Sequence, residues 1–221
     1  MSQHIIIHMM KKNLFNLFFA LLILIGTTAS AETTVGVKGG VTFPFLSIDD
    51  TSYNLWDKRS GFTIGPSVKM QLPVKGLAVD ISSLYGQYTI IDEITHDVAG
   101  GRNFTTNIKL EEIRIPLNLR YEKQLSRVWG LYLFAGPQVN FNIGAKTYVL
   151  DYCTWRSRNA VMSLNFGAGL MLQKHCQLSV SYNLACNSTG EIWLYEGKNG
   201  FVGYRGKIKT NSLALSLGYY F

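Results

Sequence analysis

The stretch Lys207 to Phe221 leaves this chain few choices of fold. Every second residue from Leu213 is large and apolar: Leu213, Leu215, Leu217, Tyr219 and Phe221. Between them stand Ser212, Ala214, Ser216, Gly218 and Tyr220, small except for the last. A period of two marks a strand with one apolar and one polar face. Where a polar face meets open water nothing limits side-chain size, and Lys, Glu and Thr are expected. Serine, alanine and glycine instead imply that this face looks into a crowded interior. The apolar face must then look outward.

Seven earlier segments repeat the alternation: Thr33–Phe45, Gly61–Leu72, Leu77–Ile90, Ile108–Glu122, Trp129–Ile143, Val161–Gln173 and Cys176–Cys186. The clearest sets Phe62, Ile64, Pro66, Val68, Met70 and Leu72 against Gly61, Thr63, Gly65, Ser67, Lys69 and Gln71. The connections alternate too. Pro73–Gly76, Lys123–Val128 and Lys174–His175 are short, whereas Leu46–Ser60, Ile91–Asn107, Gly144–Ala160 and Asn187–Gly206 are long. Short turns at one end and long loops at the other predict an eight-stranded antiparallel transmembrane β-barrel, with periplasmic turns and extracellular loops. A soluble barrel of lipocalin type is the rival, and it would put the apolar face inside. Pro66, Pro116 and Pro137 fall within strands, so bulges or bends are expected there.

Residues 1–31 are expected to form a signal peptide, leaving 32–221 as the barrel domain. Lys11 and Lys12 precede an apolar run from Leu14 to Ile25, and Ala29-Ser30-Ala31 supplies a small-x-small cleavage site. A membrane anchor is the alternative, but the run falls short of the ~20 residues a span needs. Losing the two leader lysines takes the formal charge from +7 to +5. No run of Lys or Arg offers itself to nucleic acid, and export argues against such a partner. The expected partners are outer-membrane lipids and the barrel-assembly machinery, for which the last strand, exposed as an edge until closure, is the natural handle. A protein partner would be met through the extracellular loops or the periplasmic turns.

Six charges fall on inward positions: Lys38, Lys69, Asp80, Glu112, Arg114 and Arg120. The lumen of eight strands is just wide enough for side chains to fill it. Opposite charges there should pair, because an unpaired buried charge is costly. Asp80 is expected to meet Arg114 or Arg120 in a polar plug. Aromatic residues crowd the long loops, and Trp56, Trp155, Trp193, Tyr195, Phe201 and Tyr204 form the candidate contact surface for a protein or glycan. An interfacial belt is the plainer role for some of them. Of three cysteines, Cys153 and Cys186 share the extracellular side and are the candidate disulfide, with free thiols as the alternative. His96 beside Asp92, Glu93 and Asp97 has no metal-ligand spacing, and His175 lies in a turn. No catalytic, cofactor or metal residue is assigned; a small enzyme modifying lipid in the outer leaflet is the alternative class.

Five motifs together resemble the PorT-like outer-membrane β-barrel family. They are GVKGG (Gly36–Gly40), GFTIG (Gly61–Gly65), EEIRIPLNLRY (Glu111–Tyr121), FAGPQV (Phe134–Val139) and LSLGYYF (Leu215–Phe221). The resemblance spans the chain beyond the leader. It implies an eight-stranded barrel in the outer membrane of a Gram-negative cell and a link to protein secretion. It brings no catalytic residues.

Overall fold

The computed structural model describes residues 32–48, 54–55, 60–94, 104–149, 153–173, 175–196 and 201–221. The expected leader, residues 1–31, lies outside them. Among the described residues thirteen strands run in chain order: β1 (Thr33–Ile48), β2 (Asn54–Leu55), β3 (Gly61–Gln71), β4 (Leu77–Ser82), β5 (Leu84–Ile94), β6 (Phe104–Gln124), β7 (Trp129–Asn142), β8 (Thr147–Val149), β9 (Cys153–Ser157), β10 (Ala160–Leu172), β11 (Cys176–Ala185), β12 (Gly190–Glu196) and β13 (Phe201–Tyr220). All pair antiparallel. The ring has eight staves: β1, β3, β4 with β5, β6, β7, β10, β11 and β13. It closes where β13 pairs β1, from Gly36 opposite Tyr220 to Ile48 opposite Ile208.

Paired residues can be followed once round the ring from Thr33, through Met70, Val79, Leu119, Ala135, Phe166, Tyr182 and Leu213. The path returns to β1 at Phe43, ten residues further along. Such a stagger tilts the strands by roughly 40° and fixes the bore at a width that side chains can fill.

The two faces separate as the alternation requires. On β13, Leu213, Leu215, Leu217 and Tyr219 are exposed, whereas Ser212 and Tyr220 are buried. On β10, Met162, Leu164, Phe166, Leu170 and Leu172 are exposed and Ser163, Asn165 and Met171 are buried. The apolar face therefore looks outward, to be covered by lipid, and the polar face lines the bore. Crowding explains the small inward residues. A Cβ on Gly167 would lie 2.6 Å from the Phe134 ring, and one on Gly169 would strike the ring of Tyr132.

The prolines do not make bulges. Ser67 opposes Ser82 and Ile64 opposes Tyr85, so the register passes Pro66 without a slip. The Ser83 N–H still donates to the Pro66 carbonyl at 3.0 Å, and Pro66 has no N–H to return. This lost bond divides β4 from β5. Pro116 and Pro137 likewise sit in unshifted ladders. One bond lost per proline is cheaper here than moving every neighbouring side chain to the wrong face.

Part of the expected loops is sheet. β9 pairs β12, and β12 pairs β13, so strands rise past the ring on the long-loop side with β8 at the margin. The sequence hid them because a short strand among aromatic residues lacks a long run of alternation.

Candidate functional site

Asp80, wholly buried on β4, is the hub of the lumen. Lys38 Nζ donates to its two oxygens at 2.6 and 2.7 Å. Arg120 Nη1 donates to Oδ2 at 2.9 Å, and the Tyr220 hydroxyl to the same oxygen at 2.7 Å. Ser82 Oγ donates to Oδ1 at 3.3 Å. β1, β4, β6 and β13 are thus tied across the bore by one carboxylate. Burying that charge is tolerable because each oxygen is paired and hydrogen-bonded.

Arg120 carries the network onward. Its Nη2 donates to Gln177 Oε1 at 2.8 Å, and its guanidinium stacks 4.0 Å from the Tyr132 ring centroid. Glu122 Oε1 lies 3.1 Å from Arg120 Nη2 and 3.5 Å from Lys69 Nζ, near enough for charge pairing though outside hydrogen-bond geometry. Nearer the long loops, Arg114 pairs with Glu112 and donates to Thr42 Oγ1 at 3.2 Å, with Tyr88 beneath its guanidinium. Amides fill the layer between: Asn165 Nδ2 donates to Asn118 Oδ1 at 3.1 Å, and Gln138 Nε2 to Asn140 Oδ1 at 2.6 Å.

All six inward charges named from the sequence therefore line the bore. They form two groups, with Asp80 on Arg120 and Arg114 on Glu112. Glu122 and Tyr220 complete the network and were not singled out from the sequence. The signal was present: each stands in phase with a known inward residue, Arg120 and Gly218 respectively.

The loop candidates fare differently. Trp155 is 3% exposed, and its Nε1 donates to Ser157 Oγ at 2.8 Å. It packs within the mouth of the barrel against Gly190 and is no contact surface. Trp193 is half-buried on β12. Trp56 and the side chains of Tyr195, Phe201 and Tyr204 lie outside the described residues, as does His96.

Cys186 is a free, exposed thiol, so the expected Cys153–Cys186 bridge is not formed. Register explains this. Cys153 stands opposite Leu194, four strand residues or about 13 Å above Gly190. Cys186, with its N–H bonded to the Met162 carbonyl, stays at the foot of that extension. Its side chain is too far below to reach. The side chain of Cys153 lies outside the described residues. His175 is exposed in the turn after β10, its Nδ1 2.7 Å from the Tyr220 carbonyl oxygen.

A closed ring with an apolar exterior and a paired polar interior defines a membrane-spanning β-barrel. The family of the outer membrane protein beta-barrel domain matches residues 28–190, and the chain belongs to it. Its place is the outer membrane. Among solved structures, the chain is similar in fold to Ail, the attachment invasion locus protein of Yersinia pestis, in complex with the heparin analogue sucrose octasulfate. Identity is 16%, the TM-score 0.44, and the match covers 86% of this chain and 99% of that one. Neisserial surface protein A is similar at 12% identity and a TM-score of 0.46, over 86% and 99% of the two chains. OprG from Pseudomonas aeruginosa follows at 10% and 0.43, over 86% and 97%. No curated protein matches the chain.

Proposed function

We propose that this barrel is a structural or interaction subunit of a PorT-like secretion or surface-assembly system, with no catalytic role of its own. One observation carries the reading. Asp80, Arg120, Lys38 and Tyr220 bridge the bore toward its short-turn end, so transport through it has no path and activity falls to the ends of the staves. The strands continuing past the ring on the long-loop side offer a partner sheet edges, and edges are templates for pairing. The PorT resemblance of the five motifs supports the same role. Purification in mild detergent, with identification of co-purifying proteins, tests it. A stoichiometric envelope protein is expected. A barrel that purifies alone, from cells whose outer-leaflet lipid changes on its deletion, would favour the lipid-modifying alternative.

Export by a cleaved leader belongs to this proposal. The membrane-bound protein is expected to begin at Glu32, after Ala31. N-terminal sequencing of the membrane fraction checks this, and a product retaining Leu14–Ile25 would contradict it. Insertion by the barrel-assembly machinery, through the β13 edge before it meets β1, completes the route.

A further inference from the structure

Charge is divided unequally between the two ends of the barrel. The short turns Pro73–Gly76, Lys123–Val128 and Lys174–His175 hold Lys75, Lys123, Arg127 and Lys174, and no Asp or Glu. The four long connections hold nine Asp or Glu and eight Lys or Arg, so that end is close to neutral. We propose that the short-turn rim is a docking surface for anionic phospholipid headgroups in the periplasmic leaflet.

Backbone bonds join the turns into one rim. The Glu122 N–H donates to the Gly76 carbonyl at 2.6 Å, and the Gln173 N–H to the Val128 carbonyl at 2.7 Å. Leu77 pairs with Tyr121, so Lys75 and Lys123, each two residues beyond that pair, stand at about the same level. Lys75, Lys123 and Arg127 are exposed. Among the described residues none of the three has an ion-pair partner. Like charges gathered on one rim repel each other, and a nearby anion relieves that repulsion.

Cations alone are well served by water; the apolar residues among them point to lipid. Val74, next to Lys75, and Val128, next to Arg127, are 58% and 53% exposed, and Leu125 is exposed in the same turn. Trp129, Leu131 and Tyr121 continue this apolar surface down the outside of the ring. Lys123 opposes Leu131 and so falls on the same outward face. The lipid-facing belt therefore runs into the turns, and the cations stand where it ends. A phospholipid matches both features, with acyl chains against Leu131 and Tyr121 and its phosphate against Lys123 and its neighbours. Zwitterionic lipids carry a cation of their own, so anionic lipids gain most from a rim that has no carboxylate in its turns.

The probe is phosphatidylglycerol. Barrel is folded into vesicles of phosphatidylcholine alone or mixed equally with phosphatidylglycerol, and thermal unfolding is read from heat-modifiable gel migration. A ligand bound only by the folded state raises the midpoint. The midpoint should be several degrees higher with phosphatidylglycerol at low salt, and the difference should shrink at high ionic strength. Lys75→Gln, Lys123→Gln and Arg127→Gln combined should remove most of it, and the same gels show whether this variant folds. Arg156→Gln with Lys207→Gln, which takes two exposed cations from the long-loop side, should retain it. Equal midpoints of the unaltered barrel in the two vesicles would overturn the proposal. So would a difference that survives in the triple variant, or one lost equally in the long-loop pair. Soluble polyglutamate that raises the midpoint in phosphatidylcholine as far as phosphatidylglycerol does would also overturn it, in favour of an acidic protein partner.

Discussion

Asp80→Ala is expected to destabilise the folded barrel by about 3–5 kcal/mol, the cost of removing one partner from a buried ion network. The alanine would leave Lys38 Nζ, Arg120 Nη1 and the Tyr220 hydroxyl without their shared acceptor. Arg120 is 2% exposed, so water cannot readily replace the carboxylate. Asp80→Asn keeps a hydrogen-bonding oxygen while losing the charge, and should fall between alanine and wild type. Urea unfolding of the barrel in bilayers, followed by tryptophan fluorescence, measures the difference. An unchanged midpoint in Asp80→Ala would mean that the lumen does not depend on its hub.

The second large effect lies on the other face. Leu215→Arg should reduce membrane insertion, because an arginine facing lipid near the bilayer midplane costs roughly 2–4 kcal/mol. Leu215 is 43% exposed, opposite Val41 on one side and Val180 on the other, all three outward. Ser216→Thr, one residue along and turned inward, should be much milder. Folded yield in the outer membrane at matched expression separates the two variants. Similar yields would show that inside and outside had been exchanged.

The faces were legible because a period of two is a local property. Glycine and serine opposite leucine on β13 already say which side is crowded, and Tyr132 and Phe134 fill the space that Gly169 and Gly167 leave. The inward charges were legible for the same reason. Their partners were only partly so. Tyr220 reaches Asp80 across 140 residues of sequence. That meeting depends on the ten-residue stagger of the closed ring, a property of all the strands together. The prolines misled through a local rule: Pro66 looked like a bulge, yet the neighbouring pairs held the register and gave up one hydrogen bond. Trp155 misled through composition. An aromatic residue in a long connection reads as surface, but β9 pairs with β12 and carries it into the mouth.

The most direct test of the account is electrical. Side chains tied through Asp80 are expected to close the bore of this eight-stranded barrel in the outer membrane. Purified barrel reconstituted into a planar lipid bilayer should insert without producing stable single-channel steps, while heat-modifiable migration confirms that it is folded. A steady ohmic conductance from folded protein would contradict the claim, since ions would then be passing through the layer where Lys38, Asp80, Arg120 and Tyr220 meet.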